Sequence, residues 1–169
     1  MGLPSKQFAL DTNILLDLVE SESIAVRFHR TAQEKGFPLV VTFTVLRELG
    51  FAAQDDSDPG RKGLAHLALA KMNTWKITPI PKNGLFVDYA EDFSKMVRDQ
   101  GLFPIHERND GLILAEASLH GMSILITSDN HFFKHSHKLA LAFTSSQLPR
   151  HVVPLRPSEA TMFMARSSK

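Results

Sequence analysis

Three short runs constrain this chain more than any other feature: Phe8-Ala9-Leu10, Leu39-Val40-Val41 and Ile124-Leu125-Ile126, each apolar throughout. A strand with one wet face alternates apolar and polar residues, whereas a strand covered on both faces reads as an unbroken apolar run. Longer stretches of helical spacing separate the runs. Helices are expected over 14–20 and 24–35, with Gly36 as the second one's stop, followed by a strand over 38–42. Thr42 or Thr44 then caps a helix carrying Val45, Leu46, Leu49 and Ala52-Ala53. Residues 55–61 read as a surface loop, and the next helix has Leu64, Leu67, Ala68 and Met72 on one face. A strand over 75–80 ends in Pro79 and Pro81, and 85–99 is an amphipathic helix with Val87, Ala90, Phe93, Met96 and Val97 inward. A helix over 109–120 takes Asn109 as N-cap and Gly121 as stop, and leads into a strand over 122–127. Beyond Asp129 only a strand over 151–155, between prolines, stands out. Strands alternating with helices imply right-handed crossovers and a parallel sheet covered on both faces: an α/β fold, a three-layer α/β/α sandwich.

A chain of 169 residues fits one domain spanning 1–169. It has no cysteine, which excludes disulfides, thiolate zinc sites and cysteine nucleophiles together. A net charge of +1 means that nucleic-acid binding has to rest on a local basic patch. No apolar run approaches the roughly 18 residues of a membrane span. The first eight residues lack a signal-peptide core, and Lys6 stands where acylation of Gly2 needs Ser or Thr. The reading is a soluble, cytoplasmic protein without a membrane partner.

Two of the apolar runs end alike, one in Asp11 and the other through Thr127-Ser128 in Asp129. Functional crevices of parallel sheets lie outside the carboxyl ends of the strands, so both acids are expected at one edge. Asp110 occupies the first turn of the helix leading into the Asp129 strand, where the helix dipole favours an acid. Glu48 follows the second strand on a helix that turns Val45 and Leu49 to the core. Each acid alone has an ordinary explanation as turn residue, cap or solvated helix residue; only their convergence points to chemistry.

The segments Phe8-Ala9-Leu10-Asp11-Thr12-Asn13, Val45-Leu46-Arg47-Glu48-Leu49, Asn109-Asp110-Gly111-Leu112-Ile113-Leu114-Ala115-Glu116-Ala117 and Ile124-Leu125-Ile126-Thr127-Ser128-Asp129-Asn130-His131-Phe132 resemble, in order and approximate spacing, the successive motifs of PIN-domain ribonucleases, VapC-type toxin nucleases among them. The resemblance covers 8–133 and leaves 138–169 as a C-terminal extension longer than small toxin members carry. It implies a four-acid pocket of Asp11, Glu48, Asp110 and Asp129 that binds Mg2+ or Mn2+ and hydrolyses single-stranded RNA. Asn13, Thr127 and Ser128 match its polar supports. It also implies 5′-phosphate and 3′-hydroxyl products, a homodimer, and an antitoxin partner if the chain is a toxin. One departure falls in the last motif, where an acid often precedes the phenylalanine and His131 stands here.

The residue types suit that chemistry. Converging carboxylates raise each other's pKa unless a cation joins them, and hard oxygen ligands favour magnesium or manganese over zinc. Asp11, Asp110 and Asp129 are expected as main ligands, with Glu48 positioning or deprotonating the attacking water or completing the metal shell. Arg47 and Lys134 are the expected RNA phosphate contacts, and Phe132 or Phe133 offers a stacking surface. His131, His135 and His137 lack the partner set of a structural zinc site. A phosphatase of the haloacid-dehalogenase type wants an Asp where Asn13 stands. The other alternative is a non-catalytic RNA-binding or scaffolding domain, and a free-standing RNA-processing enzyme is the alternative to a toxin.

Overall fold

The sheet forms where the apolar runs are. The computed structural model describes residues 7–167; Gly2 and Lys6, whose pattern argues against acylation, lie outside the described residues. The strands are β1 (Phe8–Leu10), β2 (Leu39–Val41), β3 (Ile77–Pro79), β4 (Ile124–Ile126) and β5 (Val153–Leu155). The helices are α1 (Thr12–Val19), α2 (Ser23–Lys35), α3 (Phe43–Ala52), α4 (Pro59–Lys71), α5 (Val87–Asp99), α6 (Arg108–Leu119), α7 (His131–Lys134), α8 (Ser136–Ser145) and α9 (Pro157–Arg166). All strand pairs are parallel, in the order β3-β2-β1-β4-β5. The two prolines within strands, Pro79 and Pro154, sit on the two edge strands, where a missing N–H is tolerated.

The chain leaves β1 in one direction to build β2 and β3, then crosses back to build β4 on the other side of β1. Right-handed crossovers therefore set α1–α4 on one face and α5–α8 on the other. α1 packs against α4 on the first face and α5 against α6 and α8 on the second, while α3 and α6 also meet each other, joined by Thr44 to Glu116 and Glu48 to Asn109. α9 returns to pack on α2. There Phe8, fully buried, stacks on Phe37 with centroids 5.2 Å apart and meets Phe28 and the edge of Phe163. This is the sandwich expected of the sequence, with helices around a parallel sheet.

Gly36 ends α2 with φ 69°, and Gly121 follows α6 with φ 78°, both in the left-handed region that glycine enters without strain. Three expectations need correction. On α4 the inward stripe is Ala65, Ala68 and Met72, while Leu67 is half exposed. Small side chains fit where α4 approaches α1 and α3, and both stripes have helical spacing, so periodicity could not choose between them. α6 begins at Arg108, and Asn109 lies inside its first turn with its side chain engaged elsewhere. The stretch after Asp129, in which only a strand was expected, also contains α7, α8 and α9.

One close approach fixes α6 against α5. A Cβ placed on Gly111 would lie 2.7 Å from Ser94 Cα and 2.9 Å from Ser94 Oγ. Ser94 is fully buried, and its hydroxyl donates to Arg108 O at 2.6 Å, tying α5 to the first turn of α6. Because the nearest atom is backbone, Gly111→Ala should force the helices apart and lower stability by about 1–3 kcal/mol in urea unfolding. Gly50→Ala, on α3 with nothing within 4 Å of the new methyl, should be neutral or stabilising by up to about 1 kcal/mol. Equal effects of the two substitutions would contradict this packing.

Candidate functional site

The strand order reverses between β1 and β4, and such a switch point opens a crevice at the carboxyl ends of the strands. Leu10 pairs with Ile126, and Asp11 N donates to Ile126 O at 3.0 Å, so the residues leaving both strands emerge side by side. Asp11 caps α1, its Oδ1 accepting from Thr12 N at 2.8 Å. Its Oδ2 accepts from Thr127 Oγ1 at 2.7 Å. The fully buried Thr127 hydroxyl is the hub here. Besides donating to Asp11, it accepts from Asp129 N at 3.0 Å and from Asn13 Nδ2 at 3.4 Å.

Glu48 arrives from α3, aimed by two donors. Thr12 Oγ1 donates to its Oε2, and Asn109 Nδ2 donates to its Oε1 at 2.7 Å. Arg47 is drawn into the same chain, its Nη2 donating to Asn109 Oδ1 at 3.2 Å. Asp110, in the first turn of α6, is only 8 % exposed, and its Oδ2 is buried without a hydrogen-bond partner. Asp129 Oδ1 accepts from His131 N at 2.9 Å, which sets up the start of α7.

The electrostatics report the crowding. Burial pushes the Asp11 carboxyl up to about 7; Glu48 and Asp129 add to the rise, while the bonds from Thr127 and Thr12 N oppose it. Burial likewise pushes Asp110 up to about 8, with the charges of Asp11, Glu107, Asp129 and Glu48 adding. No donor compensates Asp110 at its Oδ2. The four expected acids thus act on one another in a single basin.

The remaining expected residues divide. Asn13 reaches the basin through Thr127, but Ser128 is exposed and its hydroxyl donates to Asp17 Oδ2 at 3.2 Å, away from the four acids. Burial raises the Asp17 carboxyl, against that hydrogen bond. Lys134 is exposed on α7. Phe132 is buried and packs edge-on against Phe103, so it belongs to the core and is no stacking platform. Phe133 lies under the Arg156 guanidinium, 4.3 Å from ring centroid to Cζ.

Sequence pattern alone does not reveal Asn109 and Arg156. Asn109 carries an ordinary N-cap signature, which hides its bond to Glu48. Arg156 donates to Asn130 Oδ1 at 2.7 Å, across 26 residues of chain, and no local pattern announces such a contact. His131 stands out in the sequence only as a departure from the acidic motif. Among the described residues, Asp110, Asp129 and His131 form a group able to hold a metal ion, with one ligand atom from each all within 4.8 Å of one another. His135 and His137 are not in it. A hard divalent cation fits this basin: it suits the oxygen donors, relieves their repulsion and satisfies the orphaned Asp110 Oδ2.

A family model described as PIN domain matches residues 8–138, and the chain belongs to that family. Two solved structures share its fold. One is VapBC2 from Rickettsia felis bound to a DNA fragment from their promoter, with TM-score 0.61 and 14% identity, covering 88% of this chain and 97% of that one. The other is VapBC-1 from nontypeable Haemophilus influenzae, with TM-score 0.54 and 18% identity, covering 89% of this chain and 98% of that one. A comparison with curated protein sequences finds no match.

In the metal-free protein, Asp11 and Asp110 hold their protons up to about 7 and about 8, whereas a free Asp side chain releases its own near 3.8. Between those limits the unfolded chain binds fewer protons than the native state, so these two acids lower stability as pH rises. Their stabilising contribution is complete below the unfolded value and lost through the folded ones. Urea unfolding in EDTA at about pH 5 and about pH 8 should show wild type losing stability relative to Asp110→Asn across the interval. Parallel pH profiles for the two proteins would refute the assignment.

Proposed function

We propose that this chain is a metal-dependent endoribonuclease that hydrolyses single-stranded RNA phosphodiesters, with its active site at the β1/β4 switch point. The observation that carries the reading is the buried, unpartnered Asp110 Oδ2, whose pKa is raised by burial first and then by the charges of Asp11, Glu107, Asp129 and Glu48, in a chain of the PIN domain family. Asp11, Asp110 and Asp129 are the proposed ligands for Mg2+ or Mn2+. When bound, the ion supplies positive charge for the phosphoryl oxygens and acidifies water.

The chain's own residues do the rest. Thr127 orients Asp11 through its hydroxyl, and Asn13 supports that hydroxyl. Thr12 and Asn109 fix both oxygens of Glu48, which leaves that carboxylate aimed to orient the attacking water and take its proton. Arg47 is held beside it through Asn109 and keeps further N–H donors for phosphate, and the exposed Lys134 adds a second cation at the rim. Ser128 is a support one step removed, through its backbone N–H to Asn13 Oδ1 at 3.4 Å.

The likeness of fold to two VapBC proteins supports a toxin under an antitoxin partner; a homodimer in the cytoplasm is part of the same proposal. No helix among the described residues is long and apolar enough to cross a membrane. The single domain of this reading spans 1–169, extension included. A non-catalytic RNA-binding or scaffolding role is the outcome to test against.

Single-stranded RNA should be cleaved in Mg2+ or Mn2+ and spared in EDTA. Asp110→Asn and Asp129→Asn should each lower the rate by about a hundredfold or more, the scale seen when one preorganised charge contact is lost. RNA binding without turnover in either metal would favour the scaffold, and full cleavage by both variants would sink the nuclease.

A further inference from the structure

One atom of the basin has no part in the proposed catalysis, on a side chain that is otherwise 43 % exposed. His131 Nδ1 is shielded from solvent and has no hydrogen-bond partner. It lies 3.5 Å from Asp129 Oδ1, too far for a good hydrogen bond. The other unpartnered buried atom among the described residues is Asp110 Oδ2, on a side chain 8 % exposed. The residues that carry the two orphans belong to one group with Asp129, each offering one ligand atom within 4.8 Å of the others, and His131 Nδ1 is the nitrogen that faces Asp129. An unpaired carboxylate oxygen presents a lone pair, as does the ring nitrogen in the tautomer protonated on Nε2, and a shared cation would satisfy them together.

The ring is also held in place. Asp129 Oδ1 accepts from the His131 backbone N–H at 2.9 Å, and the next residue, Phe132, is locked in the core against Phe103. The imidazole therefore stands at a fixed start of α7 rather than on a free loop.

We propose that His131 Nδ1 is itself a ligand of the divalent ion, adding one imidazole to the carboxylates proposed above, with Asp110 and Asp129 as its nearest partners. The proposal rests on the metal-dependent nuclease reading and goes beyond it in naming a nitrogen ligand and its consequence. Carboxylate sites suit magnesium and manganese alike, whereas imidazole suits the later, more polarisable metals and binds magnesium poorly. A nitrogen in this position tilts the centre towards Mn2+. Being neutral, it also leaves the basin less negative than a third carboxylate in that place would.

Pulsed electron paramagnetic resonance on the full chain loaded with Mn2+ alone tests this directly. The wild type should show 14N coupling to the ion. His131→Ala should lose that coupling and bind Mn2+ at least about tenfold more weakly, a loss reached even by changing groups one step removed from a metal. His131→Asp, which restores an oxygen ligand, should keep the ion without nitrogen coupling and shift the Mn2+/Mg2+ affinity ratio towards Mg2+ in calorimetric titration. If Mn2+ binds and Asp129→Asn abolishes binding, yet nitrogen coupling is absent or survives in His131→Ala, the ligand assignment is wrong and the metal reading stands. If wild type binds no Mn2+ at millimolar concentration, both fall.

Discussion

Like charges brought together out of water are the constraint around which this structure is organised. Removal from solvent destabilises a carboxylate's charged form, and each further carboxylate nearby adds to that effect. Parallel topology leaves little freedom to avoid it. β1 and β4 are neighbours because the chain reverses direction around β1, and their last paired residues are Leu10 and Ile126. The side chains leaving those two strand ends must share the crevice, and Asp11 and Asp129 are among them. α6 then brings Asp110 from the opposite layer, held by its glycine contact to Ser94.

The hydrogen bonds are spread unevenly over this charge. Asp11 receives donors on both oxygens, as does Glu48. Asp110 receives no donor on Oδ2, and it is the more strongly perturbed of the two raised acids, about 8 against about 7. Donors offset part of the cost of burying a carboxylate's charge, whereas an oxygen left bare in a dry site gets no such relief. The bonds from Thr127 and Thr12 N oppose the rise at Asp11 without cancelling it, and Asp110 Oδ2 has no donor at all. Arg47, the nearest cation by sequence to Glu48, is spent on Asn109 instead of on any of the four acids.

Sequence carried the sheet and the acids well, for reasons that lie in the residues. Runs such as Phe8-Ala9-Leu10 are buried throughout, as are Leu125 and Ile126 of β4 beside a half-buried Ile124, and the Asp that ends such a run is placed by chain connectivity alone. Helical stripes were less decisive. Leu67 and Ala65 both fit a 3.6-residue period, and only the closeness of α4 to its neighbours selects the alanines. Asn109 reads as a cap because a helix N-cap and a side-chain donor to a distant Glu look the same locally. His131 was seen as a missing acid, and three-dimensional closeness to Asp110 was needed to see it as a present nitrogen. The helices after Asp129 are short or weakly periodic, so the chain's final quarter gave little signal until tertiary contacts supplied it.

That final quarter shapes the basin from outside it. Arg156 immediately follows β5, lies over the Phe133 ring and donates to Asn130 Oδ1. Asn130 is the chain neighbour of Asp129, and Phe133 lies in the same short helix as His131. A single guanidinium therefore grips the segment that carries Asp129 and His131. β5 pairs with β4 along its length, and α9 behind it packs on α2, with Phe163 closing over Phe8 of β1. Strand, clamp and ring contact all reach the elements from which Asp11 and Asp129 emerge. The extension is thus continuous, by packing, with the two strands that set the distance between those acids, and rigidity there is what a preorganised charge site requires.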